Sequence, residues 1–199
     1  RLLRIKYSPE QISGSLKKEG RDAPSIETIY QYIVRDKKAG GDLYTHLRIN
    51  GTRRYRRRVK GQRSKIADRV GIEDRPASVE SRHYFGDWEA DLVEGSKGTG
   101  FVLTLVDRKS RFTLFRKILN KTKQIVTGAI IEALSLFKVR TITYDNGLEF
   151  AGHFEVNREL KSKSYFCAHY HSWEKGLVEN HNGLLRQYYK KGNSFELMT

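Results

Sequence analysis

Two rhythms of apolar spacing divide the chain. Near its start, Ile26, Ile29, Tyr30 and Ile33 fall at i, i+3, i+4 and i+7, which predicts one buried helical stripe. The segment before it, residues 7–20, carries helix boundaries of its own. Ser8 can cap, Pro9 fits the first turn, Gln11 completes a capping box and Gly20 is a natural stop. From Gly86 the period changes to two. Trp88, Ala90 and Leu92 alternate with Asp87, Glu89 and Asp91, which predicts a strand. Residues 101–106 are almost continuously apolar, as in a central strand, residues 107–110 make a turn, and residues 112–118 return as a third strand. Helical spacing resumes behind a Thr122 cap in Ile125, Val126, Ala129, Ile130, Ala133, Leu134 and Phe137. A strand at 141–144, a helix at 151–160, a short strand at 165–167 and a helix from about 173 to 189 complete the chain. Three strands followed by alternating helices and strands predict an α/β fold with a mixed sheet of five strands.

The front of the chain reads differently. Two short capped helices with a turn between them outline a helix-turn-helix, whose second helix would enter a DNA major groove. Gly40-Gly41 break the pattern, and a short helix is expected around 42–47. Then come Arg53, Arg54, Arg56, Arg57, Arg58 and Lys60, continuing to Arg63 and Lys65. Such a run cannot build a core, but it suits a linker lying on phosphates. Residues 66–85 read as a connector. The expected organisation is therefore a helix-turn-helix-like segment at 1–50, a basic linker and connector at 51–85, and a catalytic core at 86–199. Charge follows the same division. Residues 1–85 carry 21 Lys and Arg against 10 Asp and Glu, whereas residues 86–199 carry 17 against 13. The concentration of positive charge in front points to nucleic acid. The single cysteine, Cys167, excludes an internal disulfide and is expected to fill a buried strand. No apolar run approaches membrane-spanning length and no secretory signal opens the chain, so a cytoplasmic, nucleoid-associated protein is expected. Arg1 and Thr199 are expected to be cuts in a longer frame.

Candidate chemistry lies in the acids. The run at 141–144 delivers Asp145 into an Asn146-Gly147 turn, and Asp91 ends a similar run. Glu179 falls in a helical pattern with Asn182 and Arg186 at i+3 and i+7, on one face. Acids on two strands and a helix can hold two Mg²⁺ ions for phosphoryl transfer, with Mn²⁺ substituting. Asn182 and Arg186 would then contact a DNA phosphate. The assignment leaves alternatives: Asp87 and Glu89 share the face of Asp91, and Glu149 and Glu174 lie near the other two. His169 and His171 lack a second ligand pair, so zinc is not expected there.

Three blocks sharpen this reading. They are Gly86-Asp87-Trp88-Glu89-Ala90-Asp91-Leu92-Val93, Tyr144-Asp145-Asn146-Gly147-Leu148-Glu149-Phe150, and the stretch from Glu174 to Tyr188. Together they resemble the catalytic blocks of the insertion-sequence-thirty family of bacterial DDE transposases. Ser8-Pro9-Glu10-Gln11-Ile12 and Glu27-Thr28-Ile29-Tyr30 resemble the helix-turn-helix that precedes that family's core. The resemblance implies an RNase H-like core, shared with retroviral integrases, with Asp91, Asp145 and Glu179 as catalytic residues ligating two Mg²⁺. It implies double-stranded DNA as partner, at element ends and target, and a homo-oligomer acting there, with neither membrane nor small-molecule substrate. The expected activity is cleavage at element ends followed by strand transfer. The rival expectations are a non-catalytic DNA-binding remnant and an RNase H-like nuclease without strand transfer. The family usually has Pro where His169 and Lys190 stand. Its chains normally carry further DNA-binding sequence in front and a further helix behind.

Overall fold

The helix boundaries at the front are set by local hydrogen bonds. In the computed structural model, which describes residues 1–48, 66–168, 172–195 and 198, α1 spans Pro9–Lys18 and α2 spans Ile26–Lys38. The basic run from Arg53 to Lys65, including Arg54, Arg56, Arg57, Arg58 and Lys60, lies outside the described residues, as do His169 and His171. Ser8 Oγ accepts from Gln11 N at 3.3 Å, and Gln11 Oε1 accepts from Ser8 N at 2.8 Å, which closes the expected capping box. Ser25 Oγ accepts from Thr28 N at 3.1 Å and starts α2. The chain forms two compact units, Arg1–Arg58 and Val59–Thr199.

In the first unit, Ile12 of α1 and Ile29 and Ile33 of α2 close on Leu3. The stripe is narrower than its spacing predicts: Ile26 and Tyr30 remain 41% and 38% exposed. Among the described residues only one side of α2 is covered, because α1 is short and the other partners are 3-10 turns at Leu3–Ile5 and Leu43–His46. Tyr30 sits at the rim, its hydroxyl reaching Glu10 Oε1 at 3.4 Å. The two 3-10 turns are joined by Arg4 and Asp42, whose guanidinium and carboxylate meet at 2.7 and 3.1 Å.

In the second unit, β1 (Asp87–Glu94), β2 (Phe101–Asp107), β3 (Thr113–Ile118), β4 (Thr141–Tyr144) and β5 (Lys163–Phe166) form one sheet in the order β3-β2-β1-β4-β5. The first three strands are antiparallel, and β4 and β5 run parallel to β1. The helices follow as α3 (Ala77–Glu80), α4 (Lys123–Leu134), α5 (His153–Leu160) and α6 (Gly176–Tyr188). This order and these directions make the RNase H-like arrangement expected of the core.

One sheet face carries the main core. Val126, Ile130, Ala133 and Leu134 of α4 pack with Trp88, Ala90, Leu103, Leu105 and Ile142. The other face is covered by α6, whose Leu177 and Val178 meet Val106 while Leu185 meets Val93 and Val102. Both faces of β1 are therefore closed at its start. Asp87 and Glu89 are as buried as Trp88 and Ala90, so the alternation marks two interior faces and not one wet face. The stretch before β1 joins this unit: Ile66 belongs to the main core, Val79 of α3 is buried, and Phe166 N donates to Val70 O at 2.9 Å. Gly86 makes the entry into β1. It takes φ +95°, and a Cβ there would stand 2.6 Å from Lys138 O, so only glycine fits.

Candidate active site

The register between β1 and β4 brings the first two acids together. Asp87 pairs with Thr141, Trp88 with Ile142 and Glu89 with Thr143. Asp91 and Asp145 each follow the last pair by two residues, and both reach Lys175 Nζ, at 2.9 and 3.5 Å. Asp91 does not end its strand, since β1 runs on to Glu94 against β2. It lies where β4 stops at Tyr144, so β1 loses its parallel neighbour there and its edge opens. Asp145 turns away into the Asn-Gly turn. Its Oδ1 accepts from Gly147 N at 2.9 Å, and Asn146 donates to Cys167 O at 2.7 Å while accepting from Arg69 at 2.7 Å. Cys167 is buried beside this turn, as expected, and burial pushes its thiol up to about 12.

Lys175 fills the open edge. Its Nζ lies 2.9 Å from Asp91 Oδ1, 3.5 Å from Asp145 Oδ2 and 3.0 Å from the carbonyl oxygen of Ala90. The ammonium donates hydrogen bonds to Asp91 and to the Ala90 carbonyl and is ion-paired with Asp145. The side chain is only 8% exposed. Burial by itself would lower the Lys175 ammonium, but Asp145 and Asp91 outweigh it and hold it above its ordinary value. Burial pushes the Asp91 carboxyl above its ordinary value, with the Asp145 charge adding to the rise and Lys175 opposing it. Two carboxylates sharing one ammonium leave the site one positive charge short.

From α6, Asn182 donates through Nδ2 to Asp91 Oδ2 at 2.6 Å. Its Oδ1 is buried and has no hydrogen-bond partner among the described residues. The expected stripe of Glu179, Asn182 and Arg186 is thus only partly convergent. Asn182 reaches Asp91, Arg186 donates to the Glu94 carbonyl at 2.5 Å, and Glu179 is exposed. Among the described residues, no three His, Cys, Asp or Glu side chains are gathered at metal-binding spacing. Asp91 and Asp145 do converge, around a cation, and hard divalent ions take carboxylate and amide oxygens. The donor set of Asp91, Asp145 and the orphaned Asn182 oxygen fits such an ion.

The competing acids have other partners. Asp87 accepts from Thr141 Oγ1 at 2.8 Å, and Asp107 caps its turn by accepting from Gly86 N and Ser110 N, both at 2.7 Å. Glu174 accepts from Ala168 N at 2.9 Å. Glu89 pairs with Arg108 at 2.5 Å and, through Oε2, accepts from Val178 N in the first turn of α6 at 2.9 Å. Arg108 also donates to Val79 O at 3.1 Å and to Glu80 at 3.2 Å, and Glu80 in turn holds Arg75, which donates to Thr143 Oγ1. This chain of contacts fixes the start of α6 to β1. Sequence reasoning missed Lys175, Arg108, Arg75 and Glu80. Only Lys175 carried a signal: a cation at the start of a predicted helix opposes the helix dipole and asks for an explanation.

Known proteins resemble the chain along most of its length. It is 44% identical over 202 residues to the transposase for insertion sequence element IS4351 of Bacteroides fragilis, spanning 100% of this chain and 62% of that protein. It is 37% identical over 202 residues to transposase InsI for insertion sequence element IS30A of Escherichia coli K12, spanning 95% and 52%. The transposase for insertion sequence element IS1086 of Cupriavidus metallidurans is 36% identical over 203 residues, spanning 96% and 60%. The chain therefore covers roughly half to three fifths of these relatives' length. No protein-family profile matches it. Among solved structures, it is similar to the catalytic core domain of BIV integrase, with a TM-score of 0.42 and 20% identity over 49% of this chain and 64% of that one. A chain of the simian T-cell lymphotropic virus intasome in complex with PP2A regulatory subunit B56 gamma gives 0.47 and 23%, over 50% and 38%.

Proposed function

The chain is homologous over nearly its whole length to the transposases of the insertion-sequence-thirty family, and from that premise we propose that it cleaves and joins DNA at the ends of an insertion sequence. The observation that carries the reading is the convergence of Asp91 and Asp145 from adjacent parallel strands on one cation, with α6 closing over them. Asp91 and Asp145 would hold Mg²⁺ or Mn²⁺, and Glu179 would join them from α6 once DNA is present. The chemistry such ions supply when bound is charge at the attacking and leaving oxygens of an in-line phosphoryl displacement.

The residues of this chain do the rest. Water attacks the phosphodiester at the element end, the bond to the 3′ oxygen breaks, and that oxygen takes up a proton to become a free 3′-OH. The 3′-OH then attacks a target phosphodiester, giving one new bond for each bond broken and no covalent protein intermediate. Asn182 orients Asp91, and the Glu89–Arg108 contact keeps α6 against β1 so that both stay in place. Recognition of the terminal inverted repeats falls to the front. α1 and α2 supply a helix-turn-helix outline, and Arg53 to Lys65 would lie on phosphates. Joining two ends requires more than one copy on the DNA.

The test is product formation on a duplex bearing the element's terminal repeat, with Mg²⁺, comparing the protein with its Asp91→Asn variant. Cleaved and joined products that depend on Asp91 support the proposal. Cleavage without joining reduces it to a nuclease, and repeat binding with no cleavage in either protein leaves a DNA-binding remnant.

A further inference from the structure

Lys175 is placed against two ordinary preferences of a cation. It is the N-cap of α6, where exposed backbone N–H groups make the local field positive and favour an anion. It is also buried, so its charge has been taken from water. Two unfavourable placements are sustained by three oxygens, two of them on the carboxylates of Asp91 and Asp145. Glu89, not Lys175, caps the helix by accepting from Val178 N. The position of Lys175 therefore owes nothing to helix capping and follows from the carboxylate pair.

We propose that Lys175 is a resident counter-cation for Asp91 and Asp145, and that its ammonium and a divalent ion exclude each other from that pair. The inference rests on the metal-dependent reading of the same site. Mg²⁺ sits about 2.0–2.1 Å from its oxygen ligands. It would then occupy the space between the two carboxylates that the ammonium now spans. The ammonium must withdraw, since two cations in one buried pocket repel. Withdrawal frees a four-carbon side chain at the mouth of the site, where a DNA phosphate offers the replacement anion. It also releases the residue directly before α6. Metal entry is thereby coupled to the segment that leads into Glu179. Binding of metal is weak while Lys175 is in place and strengthens when bound DNA draws the ammonium away.

Three proteins and two readouts test this. Mn²⁺ is titrated by calorimetry into the chain, into Lys175→Met and into Asp145→Asn, without DNA. Lys175→Met is expected to bind Mn²⁺ about tenfold or more tightly than the parent, and Asp145→Asn is expected to lose the site. In the parent chain, which removes any doubt about folding of the variant, a neutral amine-acylating reagent is followed by peptide mass spectrometry. Lys175 should resist acylation without metal and become reactive at saturating Mn²⁺. Mn²⁺ binding that needs Asp145 but is equal in Lys175→Met, with Lys175 still protected, overturns the exclusion and leaves the metal site standing. Binding indifferent to Asp145, or absent throughout, overturns both.

Discussion

Removing the Arg108 guanidinium should leave Glu89, the carboxylate that holds α6 to β1, without its buried counter-charge, and the cost follows from the contacts that remain. Arg108 and Glu89 have side chains 4% and 1% exposed, and they meet at 2.5 Å. In Arg108→Met the aliphatic volume is kept, but the Glu89 carboxylate stays buried with one donor left, Val178 N at 2.9 Å. Breaking a buried ion pair from one side costs about 3–5 kcal/mol, because the remaining charge is uncompensated. Replacing both partners removes that penalty. Both variants lose the Arg108 contacts to Val79 O and Glu80, and Glu89→Met with Arg108→Met adds only the loss of the acceptor for Val178 N, at about 1–2 kcal/mol. The double variant should thus be about 2 kcal/mol more stable than Arg108→Met alone, an inversion that simple loss of contacts cannot produce. Urea unfolding read by tryptophan fluorescence isolates the right unit, since Trp88 and Trp173, the chain's two tryptophans, both lie in Val59–Thr199. If the double variant is as unstable as the two single losses added together, Glu89 and Arg108 are not coupled. Their role in fixing α6 then fails with them. The same variants should separate stability from function. Arg108→Met keeps the hydrogen bond from Val178 N to Glu89 and the double variant loses it, so the double variant, although the more stable, should be the one that weakens Mn²⁺ binding.

Glu179→Gln should abolish cleavage and joining while end binding survives, and Glu174→Gln should keep much of the activity, because Glu174 is engaged with Ala168 N; a dead Glu174→Gln beside an active Glu179→Gln would move the third ligand to the segment before α6. Neutralising Arg56, Arg57 and Arg58 together should weaken DNA binding broadly and flatten its salt dependence by up to about one unit of slope per lost phosphate contact, and an unchanged slope would mean that this run does not touch phosphates. Burial holds the His153 imidazole below its ordinary value, with Phe150 backbone opposing that shift. The unfolded chain therefore binds the proton more readily, so stability is full above the ordinary histidine pKa of about 6.5 and falls as pH drops through it toward the folded value. His153→Phe, placed between Phe154 and Phe166, should flatten that fall, and parallel melting curves across pH 7 to pH 5 for both proteins would rule the imidazole out.

What the sequence disclosed, and what it withheld, divides by the range of the interaction. The caps at Ser8 and Ser25 are legible because each is a contact three residues long, closed by the next turn of its own helix. β1 is legible because its apolar residues alternate, and β2 because its run is almost continuously apolar, as burial on both faces requires. Asp91 and Asp145 are legible as candidates, but their adjacency is a property of register between β1 and β4, which no local pattern encodes. Ile26 and Tyr30 show the converse: correct periodicity sets the direction of a stripe, and only the partners set its width. Glu89 lies deepest from view. In the sequence it is one of three acids alternating with Trp88, Ala90 and Leu92, indistinguishable from a solvated side chain. In the fold Arg108 neutralises it from the β2–β3 turn, and α6 lends it a backbone N–H. Both carboxylates have two partners, but the Asp91 side chain is 25% exposed and shares Lys175 with Asp145, whereas Glu89 is 1% exposed behind Arg108. Access and a second carboxylate are the physical reason to propose ligation at Asp91 and positioning at Glu89, a distinction that alternation along β1 leaves open.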